Sequence, residues 1–251
     1  MNLDFSNDQK MLKEEAKKFL SKENALLRNR TVLENESYVD NDLWAKIVSL
    51  GWTGIRIPEK YNGLGLGHLE LCVIAEELGR FLAPVPFSSS VYLFTETIIN
   101  YANEELKKEI LPKLVSGEIV GTLAVTEDFK APSRNNILVS CDNGLINGKK
   151  IAVPDAKIAT HVIVVAKTNS GISLRLVDTS SSGVTIKHQK NIDESRGHFQ
   201  IDFDNVEGSL IGDEISGWEQ YESIINQAAV LFSYEQIGGA QACLLYTSPS
   251  P

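Results

Sequence analysis

At about Ile119 the apolar period of this chain shortens from near four residues to two, and from Gly217 it lengthens again. No other feature limits the fold as strongly. Apolar residues recurring every 3.6 positions cover one face of a helix, whereas strict alternation covers one face of a strand. The chain therefore reads helical, β, helical. An α+β architecture is expected: an N-terminal α-helical domain over residues 1–118, a middle β domain over 119–215 forming a small antiparallel barrel or sandwich, and the start of a C-terminal helical domain over 216–245.

Local signals fill in the first part. Ser6 and Gln9 have capping-box spacing, and Leu12, Ala16 and Phe19/Leu20 follow at helical intervals. A second helix is expected from Asp42 to Leu50, with Leu43, Ile47 and Leu50 on one face and Gly51 closing it in the left-handed conformation. A third is expected from Leu69 to Leu82, with Leu71, Ile74, Leu78 and Phe81/Leu82 inward. Ser88–Ser90 are placed to cap a fourth. Asn103, followed by Glu104 and Glu105, opens a fifth that Pro112 should kink or restart and Gly117 should end.

In the middle part, short Val- and Ile-rich runs alternate with turn chemistry at Asp142, Asn147, Thr168 and Ser180. In HFQIDFDNV, Phe199, Ile201 and Phe203 share one face and Gln200, Asp202 and Asp204 the other. After Gly217, Trp218, Tyr221, Ile225, Ala229 and Phe232 form the expected stripe, and Gly238 with Gly239 offers room for a neighbouring helix. The run QACLL should break at once into YTSPSP, because two prolines in three residues cannot continue a helix. Residues 246–251 are accordingly read as foreign sequence at the end of an incomplete reading frame.

Composition narrows the partners. Lys and Arg total 24 against 33 Asp and Glu, a net charge of −9, and no window gathers a basic cluster, so nucleic acid and anionic lipid are excluded as partners. No apolar run reaches bilayer length, so no membrane insertion is expected, and the start MNLDFSNDQ lacks signal-peptide character, which makes the cytoplasm the expected compartment. Cys72, Cys141 and Cys243 lack C-x-x-C spacing and are read as inert thiols, and the four histidines show no ligand spacing, so no metal is expected. NGLGLG at Asn62–Gly67 is read as an ordered loop between helices, since its third glycine falls early for a dinucleotide turn and no buried strand precedes it.

Several collinear stretches carry a family resemblance. LWAKIVSLGWTGIRIPEKYNGLGLGHLELCVIAEELGRFLAPVPF (Leu43–Phe87) resembles the N-terminal helical domain of acyl-CoA dehydrogenases, with its G-W-x-G-I-x-x-P turn, Y-x-G-L-G-L-G loop and E-E-L-G-R helix. LVSGEIVGTLAVTE (Leu114–Glu127) is similar to the entry into that family's β domain, INGKKIAVPDAKIATHVIVVAK to its next flavin-side hairpin, and EQIGGAQACL to the start of its C-terminal four-helix bundle.

The resemblance implies FAD held against the β domain, an acyl-CoA substrate between helices and sheet, and α,β-dehydrogenation, with electrons leaving through an electron-transfer flavoprotein from a homo- or hetero-tetramer. It places Leu123, Ala124, Val125 and Thr126 along the isoalloxazine and makes Ala152, Val153 and Pro154 a second cofactor-binding stretch. Glu127 is read equally as part of that motif and as an acid stabilising the turn. Two departures stand out. The second stretch usually reads Trp-x-Thr, and the segment after Thr-Glu usually reads Gly-Ala-Gly-Ser-Asp, where this chain has DFKAPSRNN. Within it, Ser133 is a candidate substrate-side or phosphate donor and Arg134 a candidate phosphate fork, and the segment reads equally as a solvated loop. No catalytic residue is named: the family's glutamate falls either beyond this chain or near Ala228, where there is no carboxylate. The alternative reading is a non-catalytic subunit of the same fold that scaffolds a heteromeric dehydrogenase.

Overall fold

The capping box at Ser6 forms as its spacing predicts in the computed structural model of this chain, which describes residues 4–193 and 195–248. Ser6 Oγ accepts from the Gln9 amide at 3.2 Å, and Gln9 Oε1 accepts from the Ser6 amide at 2.9 Å, opening helix α1 (Asn7–Lys22). Helix α2 (Ala25–Asn35) follows, and no sequence signal predicted it. Its buried side is Ala25, Asn29 and Val32, so a polar residue interrupts the stripe, while Leu26 and Leu27 face solvent. What holds it is polar: Arg28 pairs with Glu23 at 2.8 Å and with Asp40 at 3.0 Å.

Helix α3 (Asn41–Ser49) buries Leu43 and Ile47, but Leu50 caps its end and is 48% exposed, not inward; Gly51 takes the left-handed turn at φ 76°. Helix α4 (His68–Arg80) buries Leu71, Ile74 and Leu78, and ends before Leu82, which turns out to solvent at φ 46°. The loop before it spends its amides internally: Leu64, Leu66 and Gly65 donate to the carbonyls of Gly54, Ile55 and Ile57. NGLGLG is thus a packed connector whose N–H groups are already committed.

Ser88–Ser90 do not cap a helix. They lie buried inside a π-helical segment, Ser88–Thr95, that runs directly into α5 (Glu96–Tyr101). Their hydroxyls find tertiary partners instead, Ser89 at Asp155 and Ser90 at the Gly121 amide. Helix α6 (Glu104–Val115) opens on Asn103 as predicted, with Asn103 Oδ1 accepting from the Leu106 amide at 2.8 Å, but it continues through Pro112 and does not restart there.

The β region contains β1 (Gly121–Ala124), β2 (Ser140–Asp142), β3 (Leu145–Pro154), β4 (His161–Lys167), β5 (Ile172–Asp178), β6 (Val184–Gln189), β7 (His198–Glu207) and β8 (Ser209–Ile211). These strands make one open sheet in the order β6-β7-β3-β2-β4-β5-β8, with β1 parallel to β4. Of the expected antiparallel barrel or sandwich, the closed form does not occur: β6 and β8 end the order without pairing, and the sheet is mixed because β1 and β2 both run parallel to β4. The alternation in β7 holds, with Phe199, Ile201 and Phe203 buried. One apolar core joins the helices to β4, β5 and the last helix, and a second lies within the β region around Val162, Val164, Phe199 and Ile201.

Helix α7 (Gly217–Thr247) is a single element of 31 residues. It runs past QACLL through Tyr246 and Thr247, so the expected break does not fall there; Pro249 and Pro251 lie outside the described residues. The predicted stripe is displaced. Trp218, Ile224, Ala228 and Leu231 are buried, Tyr221, Ile225 and Phe232 flank them, and Ala229 is exposed. The contact with α4 is made at glycines: a Cβ on Gly238 would stand 1.8 Å from the Glu76 carbonyl oxygen, and one on Gly79 2.0 Å from that of Glu235. Among the described residues no helix is long and apolar enough to cross a membrane, and no group of three His, Cys, Asp or Glu side chains is placed to hold a metal. Cys72 and Cys141 are buried, and burial pushes the Cys72 thiol up to about 11, which leaves it protonated and unreactive at neutral pH.

Candidate functional site

Strand β1 stays in register with β4 up to Ala124, opposite Val164, and then leaves the ladder. Its exit crosses to β3, where the Ile151 amide donates to the Thr126 carbonyl at 2.8 Å. Strand β3 is irregular at this point. The register with β7 shifts between Lys150 and Val153, and Ala152 is pushed out with φ 51°, its amide donating to Gln189 Oε1 at 2.7 Å. A bulge that re-aims one residue is a common device beside binding sites. Here it opens a cleft of about 720 Å³ walled by Thr126, Ile151 and Ala152, with Gln189, Asn191 and His198 from the far side.

The polar groups of this cleft are only partly satisfied. Asn191 Nδ2 lies 2.7 Å from His198 Nδ1, which leaves Asn191 Oδ1 buried and without a partner. An orphaned acceptor in a concave, mostly apolar wall is what a ligand carrying a donor would complete. Lys130 and Lys190 bring cations to the rim and Asp128 and Asp193 bring anions, while Phe129 and Ile192 stand wholly in solvent.

Of the seven residues that the sequence assigned to a cofactor, this cleft gathers Thr126 and Ala152 on its surface. Leu123 is buried in the helical-side core and Ala124 in the β-region core, and Val125 packs half-buried against the former. Val153 is buried in the β region, and Pro154 ends β3 with its carbonyl accepting from Thr122 Oγ1 at 2.7 Å. Ser133 lies outside the cleft, exposed, its amide donating to Asn136 Oδ1 at 2.7 Å, and Arg134 turns away to Glu219 at the head of α7. Gln189, Asn191 and His198 were missed. They are remote in sequence from Thr126 and come to it only through the pairing of β3 with β7 and of β7 with β6.

Behind the cleft wall sits a buried ion pair. Lys150 Nζ donates to Glu127 Oε1 at 2.6 Å and to the Val125 carbonyl at 3.0 Å, with its side chain fully buried. Glu127 also accepts from the amides of Leu138 and Val139 at 2.7 and 3.1 Å, so it ties the turn together, as one of the two sequence readings held.

A second buried polar cluster lies where the helices, the β region and α7 meet. Ser89 Oγ donates to Asp155 Oδ2 at 2.6 Å, Tyr92 Oη donates to Glu235 Oε1 at 3.0 Å, and Arg196 donates to Ser88 Oγ at 3.1 Å with Glu235 Oε2 3.9 Å from its guanidinium. Burial raises both the Asp155 and the Glu235 carboxyl above the usual range, and Asp155 Oδ1 has no partner. No carboxylate of α7 occupies position 228; Ala228 is buried against the helical core.

Residues 6–118 match the family model of the acyl-CoA dehydrogenase N-terminal domain. The mitochondrial isovaleryl-CoA dehydrogenase of Solanum tuberosum is 27% identical over 260 residues, covering 96% of this chain and 62% of its own. Butyryl-CoA dehydrogenase from Megasphaera elsdenii superposes with a TM-score of 0.87 at 23% identity, over 98% of this chain and 69% of that one. A glutaryl-CoA dehydrogenase from Mycobacterium smegmatis, solved in complex with FADH2, superposes with a TM-score of 0.83 at 21% identity, over 96% and 64%. The chain spans less than two thirds of the length of the curated relative, and the solved structures speak to its fold alone. Residues 6–118 thus carry the acyl-CoA dehydrogenase N-terminal domain, and the rest of the chain follows the fold of solved acyl-CoA dehydrogenases.

Proposed function

We propose that the cleft between Thr126 and Ala152 is an FAD site and that the protein takes part in α,β-dehydrogenation of an acyl-CoA thioester. The observation that carries this reading is the cleft itself, a mostly apolar recess at the β1 exit with one unsatisfied buried acceptor, Asn191 Oδ1. Its residues fit such a group. Ile151 and Ala152 offer apolar side chains, Thr126 and Asn191 polar ones, and Lys130 with Lys190 cations for phosphate. The Mycobacterium smegmatis neighbour holds FADH2, which supports the same assignment.

The chemistry that FAD supplies when bound is acceptance of a hydride from the β-carbon. This chain's part is to bind and orient, and Thr126 stands on the cleft surface with a hydroxyl to offer. Removal of the α-proton needs a carboxylate base, and none of this chain's residues is assigned that role. Electrons would pass to an electron-transfer flavoprotein, and the working unit would be a tetramer whose other subunits complete the site.

A second reading has its own observation. Ala152 and Pro154 stand where the family usually presents an indole and a hydroxyl, and Ser133 lies outside the cleft. On that reading the chain scaffolds a heteromer whose partner carries FAD. Titration of the purified chain with FAD decides between them. Flavin that stays with the chain after free FAD is removed, with absorbance near about 450 nm and weakened by Ala152→Asp, supports the first reading; a chain that emerges colourless from excess FAD after the same separation supports the second.

A further inference from the structure

The exit of β1 poses a problem of unpaired backbone. After Ala124 the strand leaves β4, and its carbonyls must find donors elsewhere. Two consecutive residues of β3 supply them. The Lys150 ammonium takes the Val125 carbonyl and the Ile151 amide takes the Thr126 carbonyl, at 3.0 and 2.8 Å. The same ammonium holds Glu127, whose carboxylate in turn binds the Leu138 and Val139 amides. Val125, Thr126 and Glu127 are thus fastened residue by residue from behind, and only Thr126 among them lines the cleft.

A charge with no access to water is costly, and an apolar side chain of similar volume would fill the same space more cheaply. What an apolar side chain cannot do is donate to a carbonyl and a carboxylate together. We propose that Lys150 is a positioning residue for the cleft: its ammonium, held between the Val125 carbonyl and the Glu127 carboxylate, sets the backbone that presents Thr126 to the ligand. This rests on the reading of the cleft as the FAD site, but the backbone arrangement can be tested separately.

Two physical facts make the test sharp. Burial brings the Lys150 amine down to about 8, and Glu127 is the charged group facing it, while β7 sets Ile201 opposite. As pH rises through about 8 the folded chain loses this proton, whereas the unfolded chain keeps it up to the ordinary lysine range. The unfolded state then binds more protons, so this group does not lower global stability over that interval; it raises it. Loosening at the β1 exit over that interval is therefore local and is not accompanied by global destabilisation.

The experiment follows FAD affinity, melting temperature and exchange of the Ile151 amide in the wild-type chain from about pH 6.5 to 9.5, beside the paired variant Lys150→Met, Glu127→Gln. Expected is a roughly tenfold loss of affinity and faster Ile151 exchange in the wild type through about pH 8, the equivalent of one hydrogen bond, with no matching fall in melting temperature. The paired variant should bind weakly throughout, with no step. Affinity and exchange that stay flat through that interval overturn the proposal, as does a step that the paired variant keeps. If wild type binds no FAD, the flavin reading fails, and the exchange profile alone decides the positioning role. A paired variant that does not fold leaves the wild-type profile to decide.

Discussion

The molecule buries charge in two places, and the two are built on opposite terms. Behind the cleft, Lys150 and Glu127 form a one-to-one pair, with the Val125 carbonyl on the ammonium and the Leu138 and Val139 amides on the carboxylate. At the junction of the helices, the β region and α7, two carboxyls, Asp155 and Glu235, share one guanidinium, Arg196, whose nearest approach to Glu235 is 3.9 Å, and Asp155 Oδ1 is orphaned. In the first cluster burial disfavours a cation, in the second it disfavours anions. The lesson is that burial alone does not tell how a cluster responds to pH; the sign of its surplus group does.

Breaking the paired cluster should cost most. Glu127→Ala leaves the Lys150 ammonium buried with a carbonyl as its sole partner and strands the Leu138 and Val139 amides, so a loss of about 3–5 kcal/mol is expected in denaturant unfolding. A loss near that of an ordinary surface substitution would mean that water reaches Lys150 and that the two clusters differ less than their geometry says.

The unbalanced cluster should show its character through pH. Carboxyls whose folded values are raised bind more protons in the native state, so they lend stability at mildly acidic pH that is lost as pH rises through the folded values. Wild-type melting temperature should therefore gain on going from neutral toward about pH 5 relative to the double variant Asp155→Asn, Glu235→Gln. Parallel curves for the two proteins would show that Arg196 already neutralises both acids. The smallest effect is expected from Tyr92→Phe, which removes one donor to Glu235 and should cost about 1 kcal/mol while raising the pH sensitivity of what remains.

Legibility in the sequence followed the range of the interaction. Caps at Ser6 and Asn103 and the left-handed close at Gly51 involve residues at most three apart, and all three form as expected. The alternation in β7 was equally plain, because it repeats over a run of adjacent residues. Helix α2 escaped because its inner face carries Asn29, which bonds the Leu82 carbonyl at 2.7 Å; from sequence alone Asn29 reads as a surface residue. Ser88–Ser90 looked like a cap for the same reason in reverse, since serines favour caps unless a distant partner such as Asp155 takes the hydroxyl. The stripe on α7 was displaced because the packing that selects it comes from α4, through Gly79 and Gly238.

The same division runs through the candidate site. Residue order alone determined the helical, β, helical architecture and the family likeness of residues 6–118, because periodicity and motif spacing are carried along the chain. Only the tertiary structure decided that Thr126 and Ala152 share a cleft while Leu123, Ala124 and Val153 serve the cores, that Asn191 and His198 close it from the β6–β7 connection and the start of β7, and that Lys150 stands behind it. Those facts depend on which strands pair and on a one-residue bulge in β3, and register is set by contacts between segments that no local spacing encodes.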